Sequence, residues 1–209
     1  LDSVTSFLPH RILALASFGL ALVMNAAATT LPLGELSVGE VSRKYDTLFA
    51  PIDFTFGIWG LIYAGLAVYS FTQLTSNTPA VRLVTPWFIL TNLLNGSWII
   101  VWRLELLGLS SLILFLLLFS LYKINRITTA KRSDIANVIL ARLPFAVYFG
   151  WVTVATIANV SSMLVQLGFE KGFGLSAEAW TVAMLVIAVL IGSATALVNA
   201  SPEYSLVLV

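Results

Sequence analysis

The stretch RLVTPWFILTNLLNGSWIIVWRLELLGLSSLILFLLLFSLYK, residues 82–123, decides the fold, and its only charges are Arg82, Arg103, Glu105 and Lys123. The apolar runs between those charges are each about 20 residues long, the length an α-helix needs to cross a hydrocarbon core about 30 Å thick. Leu104 alone separates the charge that closes the first run from the one that opens the second. The pair therefore predicts an antiparallel hairpin of two transmembrane helices with a very tight turn.

The same signature recurs on both sides. Spans from about Arg11 to Leu31, Asp53 to Leu74, Arg142 to Phe169 and Glu178 to Asn199 join Arg82 to Arg103 and Glu105 to Lys123, giving six in order. Composition agrees, because 59% hydrophobic and 10% charged residues, with a mean hydropathy of +0.96, leave too little polar surface for a water-soluble domain. The expected fold class is all-α, a polytopic membrane helix bundle forming a single membrane domain over residues 1–209. Eleven basic against ten acidic residues give a net charge of +1, so no basic field recruits nucleic acid, and membrane lipids are the expected surroundings. The absence of cysteine excludes disulfides, thiolate nucleophiles and sulfur-ligated metals.

Loop one, residues 32–52, is the long connection. It holds Pro32, Gly34, Gly39 and Pro51 together with Glu35, Glu40, Arg43, Lys44 and Asp46, enough chain to fold over the end of the bundle as a lid. With alternating helices, Arg11, Arg82, Lys123, Arg126, Lys131, Arg132 and Arg142 gather on one side, and Arg43, Lys44, Arg103 and Lys171 on the other. That bias places both termini and the loop at 124–137 on the cytoplasmic or equivalent face, with loop one opposite. The host membrane, bacterial inner or organellar (plastid or mitochondrial), is not distinguished.

Polar and aromatic side chains deep in a span carry the functional information, because lipid offers them no hydrogen-bond partners. Trp59 and Tyr63 lie four apart in span two, Asn92, Asn95 and Trp98 step by three in span three, and Trp151, Ala155 and Asn159 step by four in span five. Each set shares one helix face. The alternation puts Trp59 and Trp98 beneath loop one and brings Asn159 toward their level, which predicts a pocket between spans two, three and five. The competing structural reading is interhelical packing, with indoles filling gaps and asparagines bonding across the bundle. Trp87, Trp102 and Trp180 stand near span ends, where tryptophan anchors the interface. His10 is expected to be interfacial, and Asp53 to cap span two.

These residues resemble the tryptophan-rich sensory protein, or TspO/translocator protein, family. Phe56-Gly57-Ile58-Trp59-Gly60-Leu61-Ile62-Tyr63 follows Pro51, Leu94-Asn95-Gly96-Ser97-Trp98 carries L-N-x-x-W, and Trp151 to Asn159 carries W-x-x-x-A-x-x-x-N. The resemblance covers residues 10–165 as a five-helix core, and residues 176–200 would add a sixth transmembrane helix to a family that usually has five. The family's proline-tyrosine pair four residues before the fifth-span tryptophan is not matched, since Pro144 stands seven residues before Trp151 and Tyr148 three before it. Either Tyr148 or Trp151 is the equivalent residue, and the spacing to Asn159 favours Trp151.

The resemblance implies a pocket under the first loop that binds a flat apolar molecule, a tetrapyrrole (porphyrin) or a sterol, in a regulatory or sensory role. Carried over residue by residue, its lining would be Trp59, Tyr63, Asn95, Trp98, Tyr148, Trp151, Ala155 and Asn159. It implies no covalent cofactor, only a bound tetrapyrrole, pigment or lipid, and no enzyme activity beyond the porphyrin degradation reported for some members. With His10 as the one histidine, a tetrapyrrole would be held by stacking and shape.

A second reading makes the chain an accessory subunit of a larger membrane complex, photosynthetic or respiratory, or a homodimer. It rests on small-residue stripes in span six (Ala179, Ala183, Ala188, Gly192, Ala196) and span one (Ala14, Ala16, Gly19, Ala21), where another helix can approach closely. Ion-coupled transport is disfavoured because no span interior carries a charge.

Overall fold

The computed structural model describes residues 7–31, 35–45, 55, 57–76, 78–130 and 141–169, with isolated positions at 176, 179, 182, 183 and 186. The described elements are all helices: α1 (Leu8–Thr30), α2 (Val38–Lys44), α3 (Ile58–Thr75), α4 (Pro79–Arg103), α5 (Leu107–Ala130) and α6 (Leu143–Gln166). Four of them, α1, α4, α5 and α6, are long and apolar enough to cross a membrane. The fifth, α3, has 18 residues. The protein is an integral, multi-pass membrane protein. The expected sixth span lies largely outside the described residues, as do Pro51, Asp53 and Trp180.

Local chemistry starts these helices where the sequence places them. Proline stands in the first turn of α1, α4 and α6, where a missing N–H costs nothing. The side chain of Thr78 accepts from the Val81 amide to cap α4. The short α2 has a full capping box, Ser37 Oγ accepting from the Glu40 amide and Glu40 accepting from the Ser37 amide at 2.7 Å. Those bonds hold the Glu40 carboxyl below its ordinary range.

Both ends of the bundle are tied by buried arginines that cap the C-terminus of a neighbouring helix. Arg11, 1% exposed, donates to the Leu74 carbonyl at 2.9 Å, and Gln73 returns a bond to the Arg11 carbonyl. At the other end Arg103 donates to the Ala28 and Leu31 carbonyls. A guanidinium at a helix C-terminus satisfies orphan carbonyls and complements the dipole. These contacts make α1 antiparallel to α3 and parallel to α4, the expected alternation.

The five long helices close a ring in the order α1, α4, α5, α6, α3, with α2 lying on α4. Within the ring α3 touches its two neighbours more sparingly than any other long helix. Its firm attachment lies in the half away from α2. There Tyr69 meets Phe88 at 5.1 Å and Phe145 at 4.8 Å, both edge-on, and Phe18 completes the cluster against Phe88. Close backbone approach is seen at two glycines. A Cβ on Gly65 would fall 2.8 Å from Pro144 of α6, and one on Gly96 would fall 2.6 Å from Met24 of α1.

The α4–α5 turn is as tight as expected, with Glu105 in the left-handed region at φ 56°. Span four ends later than expected. α5 runs on to Ala130, so Lys123 and Arg126 lie within the helix and do not end it. Lys123 folds its ammonium over the Phe119 ring at 5.2 Å, an amphipathic side chain reaching along an apolar helix.

Candidate functional site

The described part of loop one, residues 35–45, lies over the bundle as a lid with identifiable fastenings. The indole of Trp102 donates to the Val38 carbonyl at 3.1 Å, and Val41 is fully buried beneath α2. At the far edge Lys44 pairs with Glu105 at 2.5 Å, Tyr45 donates its hydroxyl to the same carboxylate at 2.7 Å, and Gln166 donates to both Tyr45 Oη and the Glu105 carbonyl. The hydrogen bonds from Lys44 and then Tyr45 hold the Glu105 carboxyl below its ordinary range, and the same pairing raises the Lys44 ammonium. Trp102 therefore anchors the lid from its place near the end of α4.

Beneath the lid the indole of Trp59 stands at the centre of an aromatic junction. It stacks on Tyr63 at 5.4 Å and on Trp98 at 6.0 Å, and meets Tyr148 at 5.8 Å and Trp151 at 6.3 Å edge-on. Offset stacks and edge-to-face contacts of this kind are the favoured arrangements of indoles and phenols. The structure thus gathers Trp59, Tyr63, Trp98, Tyr148 and Trp151 from three helices into one cluster.

Two cavities flank that junction, one on each side of the sparsely held α3. The larger, about 540 Å³, is lined by Leu22, Asn25, Ala26 and Thr29 of α1, Val38 and Gly39 of α2, Trp59 and Tyr63 of α3, and Trp98 and Ile99 of α4. The smaller, about 40 Å³, is lined by Trp59, Trp98, Trp102, Trp151, Ala155 and Asn159, among others. Pockets that hold small molecules run from about 300 to 1,000 Å³, a range in which the first cavity falls and the second does not.

The amides take different parts. Asn95, 2% exposed, accepts from Asn25 Nδ2 at 2.8 Å and from Tyr63 Oη at 3.1 Å, joining α1, α3 and α4 behind the larger cavity. Asn159 is committed to α5. It donates to Ser110 Oγ at 2.7 Å and accepts from Ser111 Oγ at 2.8 Å. Asn92 donates to Ser17 Oγ at 3.0 Å. These last two are interhelical ties, the structural alternative read from the sequence. Asn95 Nδ2 and Trp98 Nε1 are both buried without a hydrogen-bond partner among the described residues.

The α1 wall went unread in the sequence. Asn25 was the available signal, a polar side chain in mid-span, whereas Leu22, Ala26, Val38 and Gly39 carry no chemistry that marks them. The expected pocket between spans two, three and five corresponds to the smaller cavity, and the larger one opens on the other side of the same two tryptophans.

Fold and junction together define a class: a multi-pass membrane helix bundle with an aromatic-walled cavity beneath a folded first loop. The family model of TSPO-like proteins matches residues 11–209, and the chain belongs to that family. The match runs past α6 to the end of the chain, so the C-terminal segment falls within the family's extent. No curated protein and no solved structure matches the chain.

Proposed function

We propose that this membrane protein of the TspO kind binds a flat apolar molecule, a tetrapyrrole or a sterol, in the larger cavity, and that it acts through that binding in a sensory or regulatory role. The observation that carries the reading is the cavity of about 540 Å³ walled by the stacked Trp59 and Trp98 rings and roofed by α2. Indole faces suit a planar ring, and the apolar α1 wall suits its alkyl periphery. Of the residues read from the sequence, Trp59, Tyr63 and Trp98 would touch the ligand directly. Asn95 would orient Tyr63 and Asn25, and Tyr148, Trp151, Ala155 and Asn159 would buttress the junction from the α6 side.

The test is a titration of protoporphyrin IX into the protein in lipid nanodiscs, followed by tryptophan emission against empty discs. Saturable quenching at one equivalent is expected. Quenching that rises linearly, as for partition into lipid, would refute the proposal.

A further inference from the structure

Charge is divided unevenly between the two ends of the bundle. At the lid end Glu35, Glu40 and Glu105 balance Arg43, Lys44 and Arg103. At the other end stand Arg11, Arg82, Lys123, Arg126 and Arg142, with no acidic residue among the described ones. Arg11 and Arg142 are buried in the bundle, and the Arg82 guanidinium lies over the Phe7 ring. Lys123 and Arg126 differ from these three, because they continue the outer face of α5. Leu112, Phe115, Leu116 and Phe119 are each about half exposed, and at 3.6 residues per turn the two cations extend that same stripe, roughly 100° wide. Arg126 is exposed and Lys123 half-buried, and neither has an acidic partner among the described residues. The Lys123 ammonium lies over the Phe119 ring at 5.2 Å, and Trp87 of α4 meets that ring edge-on at 5.9 Å.

Lys123 stands about 24 Å along the helix axis from Leu107 at 1.5 Å per residue, against a hydrocarbon core about 30 Å thick. That depth suits the headgroup level of the leaflet away from the lid, with Trp87 and Phe119 just beneath, where aromatic rings collect. We infer that this stripe seats one anionic phospholipid, its phosphodiester on Lys123 and Arg126 and its acyl chains against Phe119, Phe115 and Leu112. Two cations with no acid of their own are complementary to a net negative headgroup. A zwitterionic lipid brings its own ammonium beside its phosphate and gains less. A second copy of the chain docked through the same face would set like charges against each other, and an apolar helix would cover the pair without neutralising it. The cations also complement the C-terminal dipole of α5, an effect that is the same in every lipid, so the distinguishing observable is a difference between lipids. The inference does not depend on the cavity or its ligand.

The test titrates dioleoylphosphatidylglycerol and, separately, dioleoylphosphatidylcholine into the delipidated protein in a neutral detergent and counts retained lipids by native mass spectrometry. Three forms of the chain are used: wild type, the double variant Lys123→Gln/Arg126→Gln, and Arg43→Gln, which removes a cation from the lid end. Wild type is expected to hold the first phosphatidylglycerol at least about tenfold more tightly than phosphatidylcholine, the scale of two cations near a membrane surface. That preference should vanish in the double variant and persist in Arg43→Gln, while phosphatidylcholine affinity, unchanged across the three, reports that the fold survives. Should the double substitution disturb the helix, Arg126→Gln alone, at an exposed position, should lower the preference about threefold. Equal retention of the two lipids by wild type overturns the inference. So does a preference that survives neutralisation of Lys123 and Arg126, or one that falls equally in Arg43→Gln, which would make it an attraction to net charge and not a site on α5.

Discussion

The two sides of Trp59 share the same indoles and the same lid, yet one holds a cavity of about 540 Å³ and the other about 40 Å³. The difference lies in the helix that closes each side. On the small side α6 brings Trp151, Tyr148 and an asparagine bonded to two serines of α5, so rings and amides fill the space themselves. On the large side α1 brings Leu22, Asn25, Ala26 and Thr29, none of them aromatic. Aromatic and amide residues in a bundle thus mark where it is packed as readily as where it is open.

The largest effect expected from this contrast falls on the shared wall. Trp59→Leu should weaken protoporphyrin IX binding by more than about tenfold, because it removes the ring on which both the ligand and Trp98 stack. Fluorescence titration of the variant in nanodiscs measures it. Next, Asn159→Leu should destabilise the protein by about 1–3 kcal/mol, since it leaves the buried Ser110 and Ser111 hydroxyls without their partner. Chemical denaturation in detergent reads that cost, and porphyrin affinity should remain at the wild-type value. A large loss of affinity there would move the site to the α6 side.

A smaller effect concerns the lid. Glu105 is depressed by Lys44 and Tyr45, so its contribution to lid closure is present above the ordinary carboxylate range and is lost as pH falls through its lowered value. Lys44 is raised by the same contact, so its contribution is present below the ordinary lysine value and is lost as pH rises through the raised one. The fastening is therefore intact across neutral pH. Hydrogen exchange of the amides at 37–45 should quicken upon strong acidification, and Glu105→Gln should show that faster exchange already at neutral pH.

The helices were legible because the bilayer imposes a length on them, and the charges at Arg82, Arg103, Glu105 and Lys123 punctuate the chain at that length. The aromatic junction was legible for a related reason, since polar and aromatic side chains inside a span must meet something. Its emptiness was not. Whether Asn159 faces a ligand or Ser110 depends on α5, whose serines carry no periodic signal that distinguishes them from lipid-facing neighbours. The two arginine caps were also hidden, because Arg11 and Arg103 read as span boundaries and only the folded chain puts them on the carbonyls of Leu74 and Ala28. Asn25 had a signal and was missed, having been outweighed by the aromatic motifs of the other spans.

The most direct test of the account fills each cavity in turn. Ala26 lines the larger cavity and Ala155 the smaller, and Ala26→Phe and Ala155→Phe can each be titrated with protoporphyrin IX in nanodiscs. Ala26→Phe should abolish saturable binding, and Ala155→Phe should leave it near wild type. Loss of binding in Ala155→Phe with wild-type affinity in Ala26→Phe would contradict the account, and would place the ligand between α3, α4 and α6.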